Sequence, residues 1–92
     1  MTITYLKTPS DVLDYRVDWS TWLGTDTITS SSWSIPAPLT TVLTQYTTTS
    51  TTVFLTGGAD GVTYLVSNTI TTTGGRTVTR SFQISITTVI DV

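Results

Sequence analysis

Two runs of alternating side chains flank a glycine pair in VTYLVSNTITTTGGRTVTRSFQISI, residues 62–86. Apolar residues recur at every second position in each run, which predicts two β-strands that are each buried on one face. Gly74-Gly75 lies between the runs and predicts a turn. This segment therefore indicates a β-hairpin, the strongest local signal in the chain.

The faces of the two strands also predict the length of the hairpin loop. A two-residue turn places Ile70 opposite Thr79, which pairs an inward residue with an outward one. A three-residue loop over 73–75 instead pairs Ile70 with Val78, and both point inward. We therefore predict the three-residue loop, with a glycine in the left-handed region. Further pairs follow from the same register: Val66 with Phe82, Tyr64 with Ile84, and Asn68 with Arg80.

Shorter segments before the hairpin carry the same alternation. Residues 12–19 predict a half-buried strand, and residues 51–56 are a short segment with Val53 and Leu55 on one face and Phe54 on the other. Residues 39–48 predict an edge strand that bends. In residues 26–35 the parity of the apolar positions changes, so we place a β-bulge within residues 30–32.

Six to seven short strands without a helical period predict an all-β immunoglobulin-like sandwich of antiparallel strands. We assign residues 11–92 to this single domain and residues 1–10 to an N-terminal extension. Tyr64 begins a long strand, where a tyrosine corner is expected to bind its hydroxyl back to the backbone. The alternative is that Tyr64 is a plain core aromatic.

The composition excludes most catalytic chemistry. The 92 residues include 25 threonines and 10 serines but no histidine, glutamate or cysteine. Without histidine, no hydroxyl has the usual base that activates it as a nucleophile. Asp14 and Asp18 share the strand face that points away from the apolar residues, so we interpret them as solvated charges. We predict a protein that is not an enzyme and has no catalytic residues and no cofactor.

Charge and hydropathy also narrow the partners. The formal net charge of −2 argues against nucleic acid, whose binders present a basic face. No apolar run approaches the roughly 18 residues of a membrane helix. The aspartates supply oxygen ligands of the kind that calcium binds, but their spacing matches no EF-hand loop, so we predict no metal site. Oligomerisation remains the expected source of extra stability for so small a domain.

The tryptophans and the bare strand edges indicate where a partner binds. Trp19 and Trp33 follow the inward parity of their strands and are predicted core residues. Trp22 lies beside Leu23 in a predicted turn, where it either caps the sandwich or anchors a partner. The Thr-rich strands and the run 87–92 carry few of the charges and prolines that protect sheet edges, so either the fold or another chain covers them. The predicted partner interface consists of Trp22, Leu23, Val89 and Val92.

Five segments carry a family resemblance: DYRVDWSTWL (14–23), DTITSSSW (26–33), VFLTGG (53–58), GVTY (61–64) and TTTGGR (71–76). In these segments the chain resembles the small fibre–tail adaptor proteins of tailed bacteriophages. The resemblance as a whole covers about residues 10–86. The resemblance implies a non-enzymatic virion component with an Ig-like fold, made in the cytoplasm of the bacterial host. It implies a position at the tail or neck, fibre, neck and tail proteins as partners, and several copies in a symmetric ring.

Two other functions fit the residues. A capsid cement or decoration protein is also expected to be small, β-rich and free of cysteine. A carbohydrate-binding or adhesin module is suggested by Trp22 and the hydroxyl-rich surface, although the chain starts without a signal-peptide pattern. A connector between fibres and tail remains the leading interpretation.

Overall fold

The structure, a computed structural model, describes residues 3–88. Seven strands and one short helix lie within these residues. In chain order they are β1 (Thr4–Lys7), β2 (Leu13–Asp18), α1 (Ser20–Leu23), β3 (Ile28–Ser34), β4 (Leu39–Tyr46), β5 (Ser50–Gly57), β6 (Thr63–Thr72) and β7 (Thr77–Ile86). The strands form a four-stranded sheet in the order β1-β7-β6-β3 and a three-stranded sheet in the order β2-β5-β4. We call them the first and the second sheet.

This strand order is that of an immunoglobulin domain. When the strands are lettered A to G along the chain, β2-β5-β4 is the B-E-D sheet and β7-β6-β3 is the G-F-C sheet. The predicted all-β Ig-like sandwich is therefore confirmed. One detail differs from the prediction, because β1 pairs with β7 in parallel and the strands are not all antiparallel.

β1 lies within residues 1–10, which the sequence assigned to an extension outside the domain. The Gln83 N–H donates to the Ile3 carbonyl at 2.8 Å, and the Thr87 N–H donates to the Lys7 carbonyl at 2.9 Å. The Lys7 side chain is fully buried, and its Nζ donates to the Gly57 carbonyl of the second sheet at 2.7 Å. Residue 10 is thus no boundary of the domain. A four-residue strand is too short to show an alternating pattern.

The β6–β7 hairpin has the predicted register. Ile70 pairs with Val78, and Val66 pairs with Phe82. The loop consists of residues 73–75, and Gly75 has a φ of +85°, in the left-handed region that favours glycine. Both the three-residue loop and its left-handed glycine are confirmed.

β3 contains a bulge, but it lies at Thr29, just before the predicted segment 30–32. The Thr29 hydroxyl donates to the Thr71 carbonyl at 3.1 Å, and the Thr29 carbonyl accepts a hydrogen bond from the Tyr46 phenol at 2.9 Å. These bonds satisfy polar groups where the ladder is interrupted. The parity of apolar residues shows that one residue is extra, but it does not show which one.

Two further predicted segments correspond to the edge strand β4 and to the short helix α1. β4 lies at an edge and shifts register between Thr41 and Leu43, which confirms the predicted bent edge strand. Residues 20–24 were predicted as a turn, and the first four form the single helical turn α1.

The core consists of two clusters of buried side chains. The larger one fills the space between the sheets with Tyr15, Leu39, Val53, Leu55, Tyr64, Val66, Phe82, Ile84 and Ile86. The smaller one lies against α1 and contains Trp19, Leu23, Ile28 and Ile70. Trp33 packs partly buried against the larger cluster, so both tryptophans predicted as core residues contribute to the interior.

Candidate interaction surfaces

The carboxylates of the described residues serve the backbone and form no metal centre. No group of three metal-binding side chains occurs within residues 3–88. Asp11 accepts a hydrogen bond from the Thr8 N–H at 3.1 Å, and Asp18 accepts one from the Ser20 N–H at 2.9 Å. The hydrogen bonds from Ser20 hold the pKa of Asp18 below its ordinary value. Over the same stretch, no helix has the length and apolarity to cross a bilayer.

Trp22 lies at one end of the sandwich with one face of its ring already occupied. The Arg76 guanidinium lies 4.1 Å from the centre of the ring, and the Trp19 ring meets it edge-on at 5.8 Å. Arg76 is held in turn by the Asp26 carboxylate at 3.1 Å and by the Leu23 carbonyl at 3.0 Å. The cation–π contact and the packing against Trp19 favour the capping role of Trp22.

Asp26 anchors this end of the molecule. Hydrogen bonds lower its pKa to about 2, first from the Thr72 hydroxyl and then from the N–H groups of Gly74 and Thr27 and from Arg76. The bonds from Gly74 and Thr27 are each 2.9 Å long. Asp26 therefore stays ionised at neutral pH and joins the hairpin loop to the chain after α1.

The predicted interface residues do not form one surface. Leu23 is only 4% exposed and packs in the cluster with Ile70, so it offers no surface to a partner. Consecutive side chains of a helical turn point about 100° apart, which explains why Trp22 and Leu23 diverge. Val89 and Val92 lie outside the described residues. Trp22 is thus the member of the predicted set that lies at the described surface.

Tyr64 makes the contact on which a tyrosine corner depends. It is buried near the start of β6, the strand in the F position, and its phenol oxygen accepts a hydrogen bond from the Ala59 N–H at 2.9 Å. The bond reaches back five residues, across the turn that leads into the strand. We infer that Tyr64 closes this corner of the sandwich.

Exposed apolar side chains concentrate on the edge strands, where the sequence did not place the interface. They include Ile3, Tyr5, Leu6, Leu13, Val42, Leu43 and Tyr46. β1, β2 and β4 are all edge strands of their sheets. The apolar residues of β1 were a signal in the sequence, but assigning residues 1–10 to an extension concealed it.

A groove of about 330 Å³ opens on the flank where β2 of the second sheet faces β7 of the first sheet. Its lining consists of Ile3, Tyr5, Tyr15, Arg16, Val17, Asp18, Arg80, Ser81 and Phe82. Three rings form an aromatic wall. The centre of the Tyr5 ring lies 5.3 Å from the centre of the Tyr15 ring and 5.5 Å from that of the Phe82 ring. The groove is therefore apolar on one side and charged at its rim.

The Tyr15 hydroxyl is the unusual group in this groove. It is buried and has no hydrogen-bond partner among the described residues, a property shared with the indole nitrogen of Trp33 elsewhere. Burial, followed by the charges of Asp11 and Asp14, raises the pKa of Tyr15 to about 12. The phenol therefore stays protonated and remains a donor without an acceptor, which is uncommon in native structures.

These features define a small Ig-like domain with exposed apolar strand edges and a groove on one flank. Residues 7–85 match the family described as podophage GP4 fiber-tail adaptor protein gp77, and the chain belongs to this family. The match confirms the resemblance to phage fibre–tail adaptors. No curated protein matches the chain.

Proposed function

We propose that this protein is a virion connector that joins tail fibres to the tail or neck machinery of a bacteriophage. The observation that carries the proposal is the family match over residues 7–85, which covers most of the chain. We also propose that it catalyses no reaction, acts in several copies arranged as a ring, and reaches the particle after synthesis in the host cytoplasm. Its partners are then the tail, neck and fibre proteins of the same particle.

The domain has the physical properties that such a connector needs. Its two sheets enclose a buried core, while apolar side chains remain exposed on β1, β2 and β4. Exposed apolar edges are a liability for a free protein, but they become useful when neighbouring chains cover them. An adaptor must offer separate surfaces to a fibre and to the tail, and edges on opposite flanks of a sandwich supply them.

Cross-linking mass spectrometry on purified phage particles tests the proposal. Lys7 is the sole lysine in the sequence and is fully buried, so cross-linking through lysine side chains is unsuitable. A carboxyl-reactive dihydrazide acts instead on exposed aspartates such as Asp14. We expect cross-links from Asp14 to tail or fibre proteins, and Asp14→Asn is the matched control that removes them.

The result discriminates between the candidate functions. Cross-links exclusively to shell proteins would assign the chain to capsid decoration. Particles that lack the chain altogether would contradict both virion roles.

A further inference from the structure

Half of β7 lacks a strand partner on one side within residues 3–88. β1 pairs with β7 only from Gln83 to Ile86, so Thr77–Phe82 extends beyond the start of β1. Gln83 donates its N–H toward β1. Alternate residues of a strand direct their N–H and C=O groups to the same side, so those of Thr79 and Ser81 face this open side. We call the segment Thr77–Phe82 the open edge.

The other edges carry more of the features that prevent edge pairing than the open edge does. β3 and β4 each contain a bulge, and β1 is only four residues long. β2 carries three charged side chains on its outer face, Asp14, Arg16 and Asp18. Bulges, short strands and charges are the usual means by which proteins prevent edge pairing. On the open edge, a single contact serves this purpose, because Arg80 folds back to donate to the Thr79 carbonyl at 3.0 Å.

The groove beside the open edge supplies the side-chain chemistry for a bound strand. Tyr5, Tyr15 and Phe82 provide an apolar wall, and Tyr5 is its exposed member. Arg16 and Arg80 line the groove with one carboxylate, Asp18. The rim therefore carries a net positive charge in a chain whose formal net charge is −2, which favours an acidic occupant.

We infer that the groove and the open edge form the docking site for an extended segment of a fibre or tail protein, which adds to β7 in line with β1. The segment spans about six residues, or roughly 20 Å. It presents apolar side chains at alternate positions to the aromatic wall, whose exposed ring is Tyr5, and a carboxylate to Arg16 and Arg80. This inference rests on the proposed function and names the surface through which it acts.

Site-specific photo-cross-linking in assembled particles tests the site. The photoreactive residue p-benzoylphenylalanine replaces Ser81, which is exposed and lines the groove, or Leu43, which is 48% exposed on the opposite edge. We expect Ser81→p-benzoylphenylalanine to link to an extended segment of another virion protein. The Leu43 variant is the control and is expected to link elsewhere or not at all.

The possible results separate the two proposals. Particles that contain the chain but give no link from position 81, or a link exclusively to a second copy of this chain, would overturn the docking site and leave the connector role intact. Absence of the unmodified chain from particles would overturn the connector role itself.

A backbone variant supplies a second, independent test. Thr79→Pro removes the N–H that faces the open side, and the β6–β7 ladder bonds are made by the intervening residues. Thr79→Val keeps this N–H and is the control. Loss of one interchain hydrogen bond together with a steric block is expected to lower incorporation into particles at least about tenfold for proline and little for valine.

A charge variant keeps the test valid if the proline variant does not fold. Arg80 is exposed, and Arg80→Glu reverses the charge that faces the predicted carboxylate of the partner. We expect reduced incorporation together with an unchanged circular dichroism spectrum. Normal incorporation of both Arg80→Glu and a folded Thr79→Pro would refute the site.

Discussion

Replacing Asn68 with alanine tests the interaction that joins the two sheets inside the core. Asn68 is fully buried, and its Oδ1 accepts hydrogen bonds from the Trp19 indole at 3.2 Å and the Thr51 hydroxyl at 2.6 Å. Its Nδ2 donates to the Ser31 hydroxyl and the Ser32 carbonyl, each at 2.9 Å. All four bonding directions of the amide are used, so this side chain links β6 to β3, β5 and Trp19.

The magnitude follows from these four bonds. A typical intramolecular hydrogen bond contributes about 1 kcal/mol net, and buried groups that lose their partner carry a further desolvation cost. Asn68→Ala removes four bonds, so we expect the free energy of unfolding to fall by about 3–5 kcal/mol. A domain of this size is stable by roughly 5–14 kcal/mol, and each kcal/mol corresponds to about 4–8 °C in Tm. The variant should therefore melt at least about 12 °C below the wild type.

Urea unfolding followed by tryptophan fluorescence measures the effect, because Trp19 lies in the network. Ser67→Ala is the matched control, since Ser67 is on the same strand and its hydroxyl pairs with Ser81 at an exposed position. We expect it to change stability by less than about 0.5 kcal/mol. A loss below about 1 kcal/mol for Asn68→Ala would refute the reasoning.

A double-mutant cycle isolates one bond of this network. Thr51→Val keeps the shape of the side chain but removes the hydroxyl that donates to Asn68 at 2.6 Å. Both single variants break this bond, so the double variant should lose less stability than the sum of the two. Strict additivity would show that the bond contributes nothing.

Three further predictions follow from particular side chains. The pKa of Asp26 is about 2, below its ordinary 3.8, so its stabilising contribution is complete above pH 3.8 and disappears as the pH falls toward 2. Asp26→Asn should therefore flatten the dependence of Tm on pH in this window. Parallel curves of Tm against pH for the variant and the wild type would contradict the assignment. In Gly75→Ala the added Cβ meets no neighbouring atom, but alanine must adopt a φ of +85°, so the free energy of unfolding in urea should fall by about 1 kcal/mol. Gly74→Ala is the contrasting variant with a steric cause, because Asp26 lies 2.9 Å from its added Cβ. Tyr15→Phe removes a buried hydroxyl without a described partner, so the free energy of unfolding should stay the same or rise by up to about 1 kcal/mol. The wild type should lose stability between pH 10 and about 12, where the unfolded chain ionises Tyr15 first, and the variant should not. A clear destabilisation of the variant at neutral pH would show that the hydroxyl has a partner in solution.

The sequence determined the hairpin in detail because two independent signals agree there. Alternation specifies which residues of β6 and β7 point inward, and only one loop length aligns the inward residues of both strands. The Gly75 position then matches the one residue type that adopts a positive φ without strain. Where local pattern and tertiary pairing coincide in this way, register can be read from sequence.

The groove could not be predicted because it depends on contacts between distant parts of the chain. β1 was not recognised as a strand, and its parallel pairing with β7 brings together residues about 80 positions apart. The register of that pairing decides how much of β7 remains uncovered. Likewise, Asn68 was predicted to lie opposite Arg80, but its role in joining the sheets requires Trp19 and Thr51, which no local pattern connects to it.

The outer face of the first sheet explains why the open edge matters for binding. Hydroxyl side chains of β6 and β7 meet there in cross-strand pairs: Thr63 with Ser85, Ser67 with Ser81, and Thr69 with Thr79. A hydroxyl that already bonds to its neighbour gains little from a partner, so these pairs offer few new interactions, although Leu65 on the same face is 53% exposed. The flank with the groove differs from this face, because the backbone groups of the open edge have no described strand beside them. The proposed docking at the open edge therefore uses backbone hydrogen bonds, which the paired hydroxyls of the sheet face do not offer.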